Sequence, residues 1–247
     1  MLTVVVLSLL YIGSANMYTT EDFERSIKKM IKNKDRESEV LAEIKSIQRS
    51  QASMETELSD KVLLFQSHYN NENVTEEVMT DFFQDIKMLY TEYYQNGTKD
   101  RLNVASVLTE GEWSQIVDKY KKEHGNILKA RERRFKLLDN EMNKIREAIK
   151  EAVPDDDNLK KAMVMMDNNQ AAFNRFYEAS NAVNFIDSEI LRSQTSTQEE
   201  LDLVYSNWND ERAILYSTVI KESVGLYKLY SDAQWQEIID NLRSKFE

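Results

Sequence analysis

The chain has 247 residues, of which 41% are hydrophobic and 30% are charged, a composition within the range of folded soluble proteins. It contains no cysteine, which excludes disulfides, thiol nucleophiles and cysteine-ligated metals. The net charge is −11 and the only basic cluster is the short stretch 129–136, which argues against a nucleic-acid-binding protein because phosphate backbones need a basic surface.

The first predicted element is an uncharged, mostly apolar run from Leu2 to Ile12, followed by small residues at 13–15. The run is shorter than the roughly 20 residues that span a bilayer. It therefore predicts a secretory signal peptide at 1–15, cleaved after Ala15, and export to a bacterial periplasm. No Lys or Arg precedes the apolar run, so an uncleaved anchor and a buried N-terminal helix remain alternatives.

Almost everything after residue 18 has helical periodicity, and one proline and five glycines favour long helices. The first half predicts helix over about 19–66, a loop at 68–75, and a helix capped by Thr75 that ends near residue 95. The segment 95–100 predicts a turn, because its Asn-Gly pair accommodates left-handed backbone.

The second half is organised by one long helix predicted from about 110 to 153, which would measure about 66 Å. Pro154 ends it, because proline lacks the amide proton and clashes with the preceding turn. Acidic residues at 155–158 start the next helix. A break is predicted at 193–200, where Thr197 can cap the following helix.

One phrase occurs twice, as LTEGEWSQIVD at 108–118 and YSDAQWQEIID at 230–240. Both copies read as capping boxes, in which a hydroxyl and a Glu or Gln side chain satisfy the first amides of a helix. A tryptophan then starts the apolar face of that helix. These structural residues are Thr109, Glu112 and Trp113 in the first copy and Ser231, Gln234 and Trp235 in the second.

The spacing of 122 residues between the copies extends beyond the phrase without gaps, since it also places Phe83 on Tyr205 and Tyr94 on Tyr216. The sequence therefore predicts an all-α, elongated protein made of two similar helical-hairpin units. The units are 16–125 and 141–247, joined by 126–140 of the long helix. A narrower interpretation is that the phrase records only how each unit starts its last helix.

The stretches LNVASVLTEGEW and GLYKLYSDAQW resemble the LTxxQ motif of the periplasmic helical chaperones and stress sensors typified by Spy and CpxP. In that family Leu-Thr-x-x-Gln opens a helix. Here Glu112 replaces the glutamine in the first copy, and Tyr230-Ser231 replaces Leu-Thr in the second. The resemblance implies export and helical hairpins, and a chaperone or envelope-stress sensor that binds unfolded clients.

The overall make-up is also similar to that of the coiling and sheath proteins on the periplasmic flagella of spirochaetes. These proteins are exported, cysteine-free, helical and rich in tyrosine and asparagine. That similarity implies a structural subunit of a filament sheath.

No nucleophile elbow, phosphate-binding glycine loop or helical zinc motif occurs in the sequence. His68 and His124 are the only histidines, and neither has a glutamate three residues before it, as di-iron bundles require. We therefore expect no catalytic residues, no metal and no cofactor.

Tyrosine is the most suggestive residue type, with 12 copies. Aromatic side chains with polar tips suit protein interfaces, although packing between the chain's own helices is the alternative. The predicted interface residues are Tyr90, Tyr93, Tyr94, Tyr227 and Tyr230. The sequence thus favours a non-catalytic periplasmic structural protein that binds protein partners or itself, with no nucleic acid and no membrane span in the mature chain.

Overall fold

The computed structural model describes residues 21–70, 75–153 and 157–246, so the predicted signal peptide at 1–15 lies outside the described residues. The side chains of His68 and His124 lie outside them as well. Within these ranges there is no strand, which confirms the all-α prediction. The described helices are α1 (Glu21–Met30), α2 (Lys34–Asn70), α3 (Glu76–Val107), α4 (Glu110–Ala152), α5 (Asp157–Ala182), α6 (Glu189–Arg192), α7 (Gln198–Leu229) and α8 (Asp232–Phe246).

Two long hairpins form the body of the fold. Helix α2 packs along α3, and helix α5 packs along α7. Between the hairpins α3 and α7 pack antiparallel against each other, and we call this contact the crossing of α3 and α7. Helix α4 contacts α1 near one hairpin and α5 and α8 near the other. The arrangement fits the prediction of two helical-hairpin units that share a long connecting helix.

The helix bounds fit the same interpretation. Helices α3 and α7 both have 32 residues and begin 122 positions apart, at Glu76 and Gln198. The starts of α4 and α8, at Glu110 and Asp232, have the same separation.

Buried apolar residues form two clusters, and neither belongs to one half alone. The larger cluster joins the C-terminal part of α2 and residues 82–94 of α3 to α5, α7, α8 and the C-terminal part of α4. The smaller cluster joins α1 to the nearby ends of α2, α3 and α4, and includes Phe185, Leu191 and Leu201. Residues from the second half of the chain therefore complete the core of the first half.

The predicted long helix is observed as α4, which has 43 residues. Thr109 caps its N-terminus, because the Thr109 hydroxyl accepts from the Glu112 amide at 3.3 Å and the Glu112 carboxylate accepts from the Thr109 amide at 2.8 Å. Its C-terminal cap is Val153, directly before Pro154.

The predicted turn at 95–100 is wrong, since α3 continues through it to Val107. Thr98 and Arg101 are buried in this stretch. The Thr98 hydroxyl donates to the Tyr94 carbonyl at 2.9 Å, a bond that follows the helix. Tertiary burial of Thr98 and Arg101 thus outweighs the local turn preference of Asn-Gly.

Two breaks were not predicted. The helical pattern at 19–66 is interrupted at 31–33, where the Asn33 side chain accepts from the amides of Asp35 and Arg36 and so starts α2. The chain also leaves the helix after Ala182, before the predicted break at 193–200. The short helix α6 lies between the non-helical stretches 183–188 and 193–197.

Candidate interaction site

Four of the five tyrosines predicted to face a partner are buried in the chain's own core, namely Tyr90, Tyr93, Tyr94 and Tyr230. Their rings pack against other residues of the same chain, which corrects the interface prediction for these four side chains. The apolar face of α3 is wide enough to bury Tyr90, Tyr93 and Tyr94 because both α2 and α7 pack against that helix, whereas Tyr230 is buried at the C-terminal cap of α7. Only Tyr227, which is 53% exposed, remains available to another molecule.

The crossing of α3 and α7 brings corresponding residues of the two halves together. The Asn209 amide donates to the Lys87 carbonyl at 2.9 Å, and these residues are 122 positions apart. The Arg212 guanidinium carbon lies 3.4 Å from the centroid of the Tyr90 ring, at the same separation in sequence.

Two aromatic contacts flank this crossing. Ring centroids are 4.6 Å apart in one pair and 4.5 Å apart in the other. The pairs are Phe83 with Tyr216 and Tyr94 with Tyr205, so exchanging the halves converts one pair into the other. An approximate two-fold axis through the crossing would relate one pair to the other.

Arg212 is the most unusual residue of the crossing, because it is 1% exposed. It lies over the rings of Tyr90 and Trp208 and donates from Nη2 to the Asn209 side-chain oxygen. Its Nη1 has no hydrogen-bond partner among the described residues. Aromatic faces therefore provide much of the electrostatic compensation of this buried cation.

Tyr216 lies beside this cation with a buried hydroxyl that has no hydrogen-bond partner among the described residues. Burial raises the pKa of the Tyr216 phenol well above its ordinary value, although the positive charge of Arg212 acts in the opposite direction. The hydroxyl is thus protonated at neutral pH and has a packing role.

The first tryptophan phrase is anchored by an ion pair. The Arg36 guanidinium donates to the Glu112 carboxylate at 2.6 Å and to the Val107 carbonyl at 2.8 Å, which ties the start of α2 to the α3–α4 junction. Burial raises the pKa of the Glu112 carboxyl, but hydrogen bonds from Thr109 and Arg36 outweigh it and hold the pKa below its ordinary value. The capping carboxylate is therefore charged.

Trp113 itself is 4% exposed because the segment 183–197 lies over it. Its indole nitrogen donates to the Arg192 carbonyl at 2.6 Å, and Arg101 donates to the Ser193 carbonyl at 2.6 Å. Gln194 donates to the carbonyls of Ala105 and Leu108 at 2.8 Å and 2.7 Å, which satisfies the C-terminal end of α3. The cover is thus fixed through main-chain groups as well as apolar contacts.

The second tryptophan phrase has the same local structure. Ser231 and Gln234 form the reciprocal hydrogen bonds of a capping box, as predicted for this pair. Asn158 donates to the Leu229 carbonyl at 2.9 Å, the position that Arg36 occupies relative to Val107 in the first half.

The two phrases differ in what covers the tryptophan. Trp235 is only partly buried, and its ring makes an edge contact with the exposed Tyr227 at 5.7 Å between centroids. The stretch of the first half that corresponds to 183–192 is 61–70, and it forms the C-terminal part of α2. We name the pair Tyr227 and Trp235 the Trp235 surface.

Sequence reasoning missed the segment 183–197 as a cover. Its signal is the pair of apolar doublets Phe185-Ile186 and Ile190-Leu191 in a stretch too short for a long helix. It also missed the buried cations Arg101 and Arg212, because arginine is ordinarily an exposed residue.

Comparisons with known proteins gave no match to a family model, to a curated protein or to a solved structure. Within the described ranges, no group of three or more histidine, aspartate or glutamate side chains is placed to hold a metal ion. The helices described at 21–70, 75–153 and 157–246 include none that is long and apolar enough to cross a membrane.

Proposed function

We propose that the protein is a non-catalytic structural or assembly component that acts through protein–protein contacts in the bacterial periplasm. The observation that carries the proposal is the Trp235 surface. The same capped tryptophan is covered by a peptide segment in one half of the chain and is partly exposed, beside Tyr227, in the other. Aromatic side chains of this kind are enriched in protein interfaces.

The way in which the chain uses its polar groups supports the same proposal. Arg101, Gln194 and Trp113 all donate to backbone carbonyls at helix ends or in the segment 183–197. These buried and half-buried side chains join helices to one another, as expected in a protein whose task is to hold a shape.

The periplasmic location depends on the apolar run at 2–12. The similarity of overall make-up to flagellar coiling and sheath proteins favours a filament sheath as the assembly.

The test is crosslinking in intact cells, followed by mass spectrometry of the captured proteins. One or two partners at a constant ratio would support the proposal and would identify the assembly. A broad set of unrelated exported proteins would overturn it and would favour the chaperone or stress sensor that the LTxxQ resemblance implies.

A matched pair of variants sharpens this experiment. Tyr227→Ser removes the exposed ring of the Trp235 surface, and Leu137→Ser changes a similarly exposed apolar residue on α4. Capture that is lost in Y227S and retained in L137S assigns the contact to the Trp235 surface.

A further inference from the structure

The segment 183–197 is held on the first half in the way that a bound peptide is held. Three consecutive main-chain carbonyls, those of residues 191, 192 and 193, accept hydrogen bonds from buried side chains. Arg101 Nη2 donates to the first and third at 3.1 Å and 2.6 Å, and the Trp113 indole donates to the second at 2.6 Å. Binding through main-chain groups provides affinity for a peptide whatever its side chains are.

Two apolar side chains of the segment enter the smaller core cluster. The Phe185 ring makes an edge contact with the Tyr120 ring, with centroids 5.3 Å apart, and Leu191 is 3% exposed in the same cluster. Pockets for side chains provide the specificity of a peptide site. This surface therefore selects an aromatic and an aliphatic residue six positions apart.

The two donors are also anchored within the first half. Arg101 lies on α3 with its guanidinium carbon 5.3 Å from the centroid of the Trp113 ring. Trp113 lies in the first turn of α4, which Thr109 and Glu112 cap and which Arg36 ties to α2. These contacts do not involve the segment, so the donors keep their anchors when another peptide takes its place.

The segment is an incomplete ligand for this surface. Arg101 is 3% exposed, and its Nη1 has no hydrogen-bond partner among the described residues. A buried charged donor without an acceptor destabilises the contact, and a carboxylate is the acceptor that binds a guanidinium most strongly. A peptide that brings a carboxylate to Nη1 is therefore a better ligand than the segment itself.

We propose that the surface formed by Arg101, Trp113 and Tyr120 is a peptide-binding site, which the chain's own segment 183–197 occupies until a partner peptide displaces it. The partner carries an aromatic and an aliphatic residue spaced as Phe185 and Leu191 are, and an acidic residue near the aliphatic one that pairs with Arg101. This inference goes beyond the proposed function, since the site lies at the other tryptophan.

The test is a titration of fluorescent peptide 183–197 with the purified full chain, measured by anisotropy. The attached segment competes at an effective concentration on the order of millimolar, so the wild-type chain should bind the free peptide weakly. Leu191→Ser weakens the attached segment and should tighten binding of the peptide at least about tenfold. A scrambled peptide should not bind, and circular dichroism melting verifies that each variant is folded.

A second substitution in the Leu191→Ser chain assigns the contact to the indole donor. Trp113→Phe keeps an aromatic ring but removes the N–H, and should raise the dissociation constant of the peptide about threefold to tenfold. Leu137→Ser changes an exposed residue on α4 outside the site and should leave peptide binding unchanged.

Peptides with aspartate at each of positions 192 to 195 test the pairing with Arg101. At least one of them should bind the Leu191→Ser chain about tenfold more tightly than the unmodified peptide, because its carboxylate reaches Nη1. That advantage should disappear when Arg101→Gln is added to the chain. Four peptides without any gain in affinity would overturn the acidic residue assigned to the partner.

Hydrogen exchange on the wild-type chain gives a measurement that needs no destabilised variant. An isotope-labelled peptide 183–197 at millimolar concentration should speed exchange of the chain's own amides at 192 and 193, which α6 protects. Unchanged exchange, no binding to the Leu191→Ser chain, or equal affinity with and without the Trp113 N–H would overturn the site. Each of these results leaves the proposed function intact, because crosslinking that depends on Tyr227 reports on the Trp235 surface.

Discussion

Arg212 is buried against aromatic faces, and this placement predicts that removing the Tyr90 ring costs more stability than removing the cation. Removing Tyr90 leaves a buried charge with less compensation and a cavity, whereas replacing Arg212 by an apolar residue of similar volume removes the charge itself. Tyr90→Ala should therefore lower the free energy of unfolding by about 3–5 kcal/mol. Arg212→Met should lower it by only about 1 kcal/mol or less.

Urea unfolding of the two single variants and of the double variant measures this difference. The double variant should lose less than the sum of the single losses, because without Arg212 the ring no longer compensates a charge. Equal losses in Y90A and R212M would contradict the assignment of a compensating role to the ring.

Tyr216 predicts a dependence of stability on alkaline pH. Burial raises the pKa of its phenol above the ordinary 10.0, so the folded chain holds a proton that the unfolded chain releases. The contribution to stability is fully present below pH 10 and falls as the pH rises further, by up to about 1.4 kcal/mol per pH unit. Tyr216→Phe should weaken this fall.

At neutral pH the same substitution should be neutral or should stabilise by up to about 1 kcal/mol, because the buried hydroxyl has no partner among the described residues. Unfolding curves at pH 7 and pH 10.5 give both values. An unchanged alkaline slope in Y216F would show that other tyrosines carry the effect.

The two tryptophans of the repeated phrase should differ in their contribution to stability. Trp113 is buried and hydrogen-bonded, whereas Trp235 is only partly buried. Trp113→Ala should cost about 3–5 kcal/mol, and Trp235→Ala at least about 2 kcal/mol less. Chemical denaturation of both variants measures the difference, and equal losses would mean that Trp235 is covered as fully as Trp113 in solution.

At the scale of single elements, α3 shows most directly where local sequence signals fail. The Asn96-Gly97 pair favours a turn, yet the helix continues because Thr98 and Arg101 are buried. Arg101 is fixed by carbonyls of residues 191 and 193, about 90 positions away. No window of local sequence contains that information, so the turn was predicted where a helix forms.

Gly97→Ala tests the continuity of this helix. The Gly97 backbone is helical, and an added Cβ meets no atom within 4 Å. The substitution should stabilise the protein by about 0.5–1 kcal/mol, because alanine has the better helix propensity. Thermal unfolding measures the gain.

Gly225→Ala is the matched control in α7. Its Cβ would approach the Met165 side chain to 2.9 Å, so part of the helical gain is lost in moving that side chain. A destabilised G97A variant would indicate the left-handed turn instead of the helix.

Signals with a local physical cause were predictable. The capping boxes at Thr109 and Ser231, the caps at Thr75 and Thr197 and the end of α4 before Pro154 depend on neighbouring residues only. The cover of Trp113 by 183–197 and the burial of four predicted interface tyrosines depend on contacts between distant elements. Burial on α3 follows from α7 packing on a second side of it, which periodicity within α3 does not reveal.

At the scale of the whole molecule, the two flanking aromatic pairs should be energetically equivalent. Double-mutant cycles with leucine substitutions of Phe83 and Tyr216, and of Tyr94 and Tyr205, should give coupling energies of about 0.5–1.5 kcal/mol each. The two couplings should agree within about 0.5 kcal/mol. Phe83 and Tyr120 belong to different clusters, so a control cycle on them should give almost no coupling.

A strong coupling in one pair and none in the other would contradict the approximate two-fold relation of the hairpins. Equal coupling energies in the two pairs would support the two-unit interpretation.

Where the two hairpins cross, Tyr90 meets Arg212, its own counterpart in the other half. In a symmetric dimer of identical subunits, the residue on the axis meets itself, so ring would face ring or cation would face cation. In one continuous chain the two positions can hold different residues, so a ring can face a cation. Two second halves would bring a pair of buried arginines together, at a high cost in free energy. The central contact between Tyr90 and Arg212 therefore favours the pairing of unlike halves over the pairing of two second halves.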